Sequence, residues 1–175
     1  MPEQYHIRVT KDYLVFSAAH FITYAGDICE RLHGHNYRVS VEIHGPLDEN
    51  HYVVDFIFVR DTLQQLVAAW DHRMLLPTEH AEIKVECTEH TQFGSQVEVT
   101  FRDRRWTFPR EDCILLPIPN TTTELLAQRL GTQLLEAIES ETGSRPTAVR
   151  VSVDENHGQW GVWDYRDGTN AGAAQ

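Results

Sequence analysis

The chain has 175 residues, 41% hydrophobic and 23% charged, which suits one domain with a buried core. No apolar run approaches the ~18 residues of a membrane helix, and a formal net charge of −11 without a Lys/Arg block speaks against a nucleic-acid partner, because phosphate binding needs a basic face. The start "MPEQYHIRVT" lacks the basic and apolar regions of a secretory leader, and an odd set of three cysteines argues against a disulfide framework, so a cytoplasmic protein is expected.

Residues 5–19 read as extended, in two segments joined near Lys11 and Asp12. In "LVFSAAH", Leu14, Phe16, Ala18 and His20 share one face of a regular strand. Residues 35–44 form the clearest strand, with Tyr37, Val39, Val41 and Ile43 alternating with polar residues until "GPLDEN" breaks it. "DFIFVRDTLQQLVAAW" reads as a helix with Phe56, Val59, Leu63, Leu66 and Trp70 on one stripe and Asp55 as its cap. Residues 79–108 alternate as short strands around turns, a β insertion between helices at about 78–114. "NTTTELLAQRLGTQLLEAIES" is a second amphipathic helix ending near Gly143. "AVRVSVDEN" and "QWGVWDY" are closing strands. The pattern predicts a single α+β domain over 1–166, with helices on one face of an antiparallel sheet, and a flexible tail at 167–175.

Chemistry concentrates in "CERLHGHNYRV". His33 and His35 are two apart in a strand and point the same way, with Gly34 keeping the position between them small. A catalytic zinc needs three protein ligands and an open position, and His20 could be the third. The plainer alternative is a set of strand-end histidines that merely hydrogen-bond. Cys29 is a candidate nucleophile or base if a metal or imidazolium lowers its pKa. It is otherwise a small buried hydrophobe, the better reading for Cys87 and Cys113. Asp71 and His72 form a candidate acid/base pair or a decorated helix end; as neighbours they cannot easily bond each other, so each would serve a third group. Thr121 and Glu124 fit a capping box. Glu155 ends a strand, where a carboxylate can accept two hydrogen bonds from a guanine-like edge or simply face solvent.

Six segments stand in order: "FSAAHF", "CERLHGHNY", "VVDF", "WDH", "TTTELLA" and "VSVDEN". Together they resemble the 6-pyruvoyl-tetrahydropterin synthase family and its bacterial branch, the 6-carboxy-tetrahydropterin synthases of queuosine and deazapurine synthesis. The resemblance spans roughly residues 7–77 and 115–165. It implies a T-fold, a four-stranded antiparallel sheet with two helices, assembled around a tunnel as a homo-hexamer with active sites between subunits. By position it implies zinc on His20, His33 and His35, Cys29 as proton-abstracting base, and Asp71 and His72 as acid/base pair. Glu155 would anchor a pterin ring, with Thr122, Thr123 and Glu124 nearby.

The implied substrate is 7,8-dihydroneopterin triphosphate. The short gap from Cys29 to "HGH" favours a 6-carboxy product. The alternatives are a 6-pyruvoyl product, aldol cleavage of dihydroneopterin, or a non-catalytic pterin- or purine-binding module. Tyr52, Trp70 and the β insertion depart from the family pattern, and the basic residues for the triphosphate are not identifiable.

Overall fold

The computed structural model describes residues 3–26 and 28–168. The strands are β1 (Tyr5–Val9), β2 (Val15–His20), β3 (Thr23–Tyr24), β4 (Ile28–Cys29) and β5 (His33–Gly45), followed by helix α1 (Phe56–Trp70). Then come β6 (Arg73–Pro77), β7 (Lys84–His90), β8 (Gly94–Phe101), β9 (Arg104–Pro109) and β10 (Cys113–Leu116). Helix α2 (Thr123–Thr142), β11 (Ala148–Asp154) and β12 (Trp160–Arg166) complete the described chain.

The 13-residue β5 organises the main sheet. Its first half pairs antiparallel with β2, its second half with β1, and its other edge with β11. Alternate residues of these strands are buried: Leu14, Phe16 and Ala18, then Tyr37, Val39, Val41 and Ile43, then Val149, Val151 and Val153. They join Val59, Leu63, Leu126, Leu130 and Leu134 of the helices in one core, so the alternation in the sequence marks the helix-covered face.

The sheet is larger and more mixed than four antiparallel strands. Its order is β10-β6-β2-β5-β11-β12, with β1 also on β5, and both β10–β6 and β6–β2 are parallel. Met74, Leu75 and Leu76 of β6 are all buried, Leu75 in the main core and its two neighbours in a second one. A strand covered on both faces carries no period of two, which hides it in the sequence.

Asp55 caps α1, accepting from the Ile57 amide at 2.6 Å and the Phe58 amide at 3.3 Å. The buried stripe is Val59, Leu63, Val67 and Trp70. Phe56 is 54% exposed and stands outside that stripe. The Thr121–Glu124 capping box does not form. Thr122 is the N-cap, the Thr121 hydroxyl donates to the Phe21 carbonyl at 3.0 Å, and Glu124 takes the Thr123 hydroxyl. Gly143 closes α2 at φ +75°, a left-handed cap suited to glycine.

Strands β7, β8 and β9 make a separate three-stranded antiparallel sheet. Its Val97, Val99 and Phe101 pack with Ile83, Phe21, Met74, Leu76 and Cys113. Cys113 is the small buried hydrophobe expected, whereas Cys87 is exposed even though it stands opposite buried Val97 on β8. The amide of Asp167 still donates to the Thr147 carbonyl at 2.9 Å. The rest of the expected tail, residues 169–175, lies outside the described residues. No helix among the described residues is long and apolar enough to cross a membrane.

Candidate metal centre and active site

The register of β2 on β5 sets His20 directly opposite His33 and Ala18 opposite His35. A side chain at Gly34 would place its Cβ 3.1 Å from the Ala18 carbonyl oxygen, so glycine permits this close approach. The three imidazoles converge. Ring centroids are 4.7 Å apart for His20–His33 and for His33–His35, and 5.3 Å for His20–His35. One ligand nitrogen from each lies within 4.8 Å of the others.

Backbone carbonyls orient two of the rings. His20 Nδ1 donates to the Thr121 carbonyl at 3.0 Å, and His33 Nδ1 donates to the Arg31 carbonyl at 2.8 Å. A carbonyl can only accept, so in the neutral rings each Nε2 keeps its lone pair. His20 is 1% exposed, and its Nε2 has no hydrogen-bond partner. Burial, with a smaller push from the other two histidines, lowers the His20 pKa to about 4. A neutral, oriented, buried and unpartnered nitrogen beside two more imidazoles fits a divalent metal.

Two carboxylates flank the cluster. Glu155 Oε1 lies 3.4 Å from His20 Nε2 and 3.6 Å from His35 Nε2, and Glu30 Oε2 lies 3.8 Å from His33 Nε2. Buried Asp154 shapes the loop that presents Glu155, accepting from the amides of Asn156, Gly158 and Gln159. Tyr37 forms the floor, with centroids 5.8 Å from His20 and 5.6 Å from His35. Its buried hydroxyl is also unpartnered; burial, then the charges of Glu155 and Glu30, raise its pKa.

Cys29 sits at the end of the β3–β4 hairpin, paired with Thr23. Its thiol donates to the Glu30 carbonyl at 3.5 Å. Burial raises its pKa, Arg104 opposes that, and Glu30 reinforces it. The free side chain is therefore a thiol at neutral pH.

Asp71 and His72 do bond each other, contrary to the expectation for adjacent residues. His72 Nδ1 lies 2.8 Å from Asp71 Oδ2, because His72 adopts φ +57° and folds its ring back over its neighbour. Asp71 Oδ1 accepts from the Ser17 amide at 2.7 Å, which lowers the Asp71 pKa ahead of the smaller effect of His72. Among the described residues no hydrogen bond or ion pair joins this pair to Cys29 or to the triad. His72, 82% exposed, lines a cleft of about 600 Å³ with His35 of the triad and with Ser17, Asn36, Met74 and Phe108.

Thr122, Thr123 and Glu124 open α2 directly after Thr121, whose carbonyl holds His20. Glu124 is exposed and Thr122 makes no side-chain capping bond. Sequence patterns do not single out Glu30, Tyr37, Asp154 or the Thr121 carbonyl as parts of the site. Glu30 carries a signal in its place three residues before His33. The carbonyl has none, since every residue carries one.

A histidine triad on facing antiparallel strands of an α+β sheet, with a half-buried cysteine in the adjoining hairpin, defines a T-fold protein with a candidate metal centre. The chain belongs to the 6-pyruvoyl tetrahydropterin synthase family, whose model matches residues 8–165. A Methanocaldococcus jannaschii protein assigned as 6-carboxy-5,6,7,8-tetrahydropterin synthase is 30% identical over 147 residues, covering 83% of this chain and 86% of that protein. The 6-pyruvoyl tetrahydropterin synthase of Plasmodium falciparum superposes with a TM-score of 0.84 at 28% identity, over 95% of this chain and 100% of that one. A Plasmodium vivax 6-pyruvoyltetrahydropterin synthase described as a catalytic-residue mutant, with a glutamate replaced by alanine, superposes with a TM-score of 0.82 at 25% identity, over 95% and 100%.

Proposed function

We propose that this tetrahydropterin synthase is a zinc-dependent 6-carboxy-5,6,7,8-tetrahydropterin synthase, a carbon–oxygen lyase that acts on 7,8-dihydroneopterin triphosphate in a queuosine-type deazapurine pathway. The observation that carries the reading is the unpartnered, buried Nε2 of His20 facing His33 and His35, with Cys29 in the adjoining hairpin. His20, His33 and His35 would hold the zinc, which when bound would supply Lewis acidity that makes a substrate C–H easier to deprotonate. Cys29, once its thiol proton has passed to solvent, would take that proton; the C–O bond to the triphosphate would break with triphosphate leaving, and hydrolytic loss of the terminal carbons as acetaldehyde would give the 6-carboxy product. The Asp71–His72 pair holds a proton at His72 and returns it during tautomerisation. Glu155 accepts hydrogen bonds from the amide-and-amine edge of the pterin, with Thr122, Thr123 and Glu124 as further polar contacts.

Among the described residues no hydrogen bond or ion pair joins Asp71–His72 to Cys29, which supports a site completed by a second copy, in a homo-hexamer. The three free thiols are in keeping with a cytoplasmic protein. Support for the 6-carboxy product comes from the short Cys29-to-His33 spacing and from the M. jannaschii relative; a 6-pyruvoyl product is the neighbouring outcome. Mass spectrometry of products from zinc-loaded protein and 7,8-dihydroneopterin triphosphate tests the reading. Unchanged substrate refutes it.

Glu30 favours a second reading. Its carboxylate stands beside His33, and the P. vivax enzyme has a catalytic glutamate. A carboxylate base that takes a hydroxyl proton would split a side-chain carbon–carbon bond, an aldol cleavage. A 6-hydroxymethyl pterin that persists in Cys29→Ala and disappears in Glu30→Gln would select it.

A further inference from the structure

We propose that Arg104, in the β insertion, is a positioning residue for Cys29: its guanidinium grips the backbone from which the thiol projects. This rests on the reading of Cys29 as the base. Arg104 Nη1 donates to the Cys29 carbonyl at 2.7 Å and to the Glu30 carbonyl at 3.1 Å. The Cys29 thiol donates to that same Glu30 carbonyl. Two-residue strands hold a hairpin weakly on their own, so β3 and β4 depend on outside partners.

Arg104 is itself fixed. Its guanidinium carbon lies 4.7 Å from the centroid of the Trp106 ring, and Trp106 stacks on Phe21 at 4.8 Å and 18°. Phe21 is fully buried and directly follows His20. The hairpin bearing Cys29 is thus tied through Arg104, Trp106 and Phe21 to the strand bearing a candidate metal ligand.

The insertion region holds the opposite side of the hairpin as well. His80 Nδ1 accepts from the amides of Glu82 and Ile83, so in the neutral ring Nε2 carries the proton and donates to Thr23 Oγ1 at 2.8 Å. Asn120 Nδ2 donates to the Thr23 carbonyl at 3.0 Å. Thr23 pairs with Cys29, and Asn120 precedes the Thr121 that orients His20. The insertion, together with Asn120, therefore braces the hairpin that carries the cysteine. The positive charge of Arg104 also opposes the effect of burial on the thiol.

The test compares Arg104→Ala, Arg104→Lys and Arg104→Gln in the zinc-loaded full chain. It measures zinc content, thermal melting, turnover of 7,8-dihydroneopterin triphosphate, and the pH profile of iodoacetamide alkylation at Cys29, with exposed Cys87 as internal reference. In Arg104→Ala, zinc should remain stoichiometric. The kcat should fall by roughly 10- to 100-fold, the scale of a misplaced reacting group, with little change in KM. The Cys29 alkylation profile should move to higher pH and that of Cys87 should stay. Arg104→Lys should recover part of both effects, because it keeps charge and a donor but loses the planar fork. If Arg104→Ala does not fold, Arg104→Gln, which keeps a donor without charge, against Arg104→Lys carries the comparison. Wild-type kcat and an unmoved Cys29 profile in the folded variants would overturn the proposal. If the wild type leaves the substrate unchanged, the assigned activity fails, and the alkylation profile alone still decides Arg104.

Discussion

His20 Nδ1 and the Thr121 carbonyl oxygen lie 3.0 Å apart, across 101 residues of sequence. That contact joins the end of β2 to the entry of α2. It fixes the tautomer of a buried ring and turns the remaining lone pair toward His33 and His35.

Replacing a candidate ligand should lower the zinc content. His33→Ala and His35→Ala should each fall well below one zinc per chain by elemental analysis, with the melting profile of the metal-free protein largely kept. Both side chains are only partly buried, so their loss opens little cavity in the core. Near-stoichiometric zinc in both variants would remove them as ligands.

Cys29→Ala should separate metal binding from chemistry. Among the described residues the thiol donates to the Glu30 carbonyl and does not belong to the converging histidine group. Zinc should stay bound while turnover falls by about 10²- to 10⁴-fold, the usual contribution of a positioned acid or base. Full activity would exclude Cys29 as base.

Acid should destabilise the metal-free protein through His20. Its folded pKa is lowered to about 4 from 6.5, so the unfolded chain binds the proton first. Stability from this group is present above about pH 6.5 and is lost as pH falls toward 4, by up to about 3 kcal/mol. Chemical denaturation at pH 7.5 and 5 should show the loss, and His20→Gln should flatten it. An equal slope in that variant would move the effect to other groups.

Gly161→Ala should destabilise the fold at the start of α2. A Cβ at this position would lie 2.5 Å from both the backbone carbon and the Cβ of Thr123, and a helix backbone cannot step aside as a flexible side chain can. A cost of about 1–3 kcal/mol is expected, read as a lower melting temperature. An unchanged melting temperature would mean that β12 and α2 can separate at no cost.

Alternation and local chemistry make much of this protein legible in the order of its residues. The buried faces of β2 and β5 follow a period of two, which also places His20, His33 and His35 on the faces where they meet. Asp55 and Gly143 mark helix ends because a side-chain acceptor and a left-handed residue act locally. The apolar run of β6 has no such period, and Thr121 looks like half of a capping box because its role depends on Phe21, a hundred residues away.

Residue type and spacing are enough for the α+β class and for three histidines on strand faces that can meet, since strand periodicity converts sequence position into a shared face. They could not place Arg104 on the carbonyls of Cys29 and Glu30, or set Glu155 beside His20. They also could not turn the His72 ring back onto Asp71. Those relationships depend on which loops the packed cores bring together and on single backbone angles, and no local pattern in the chain encodes either.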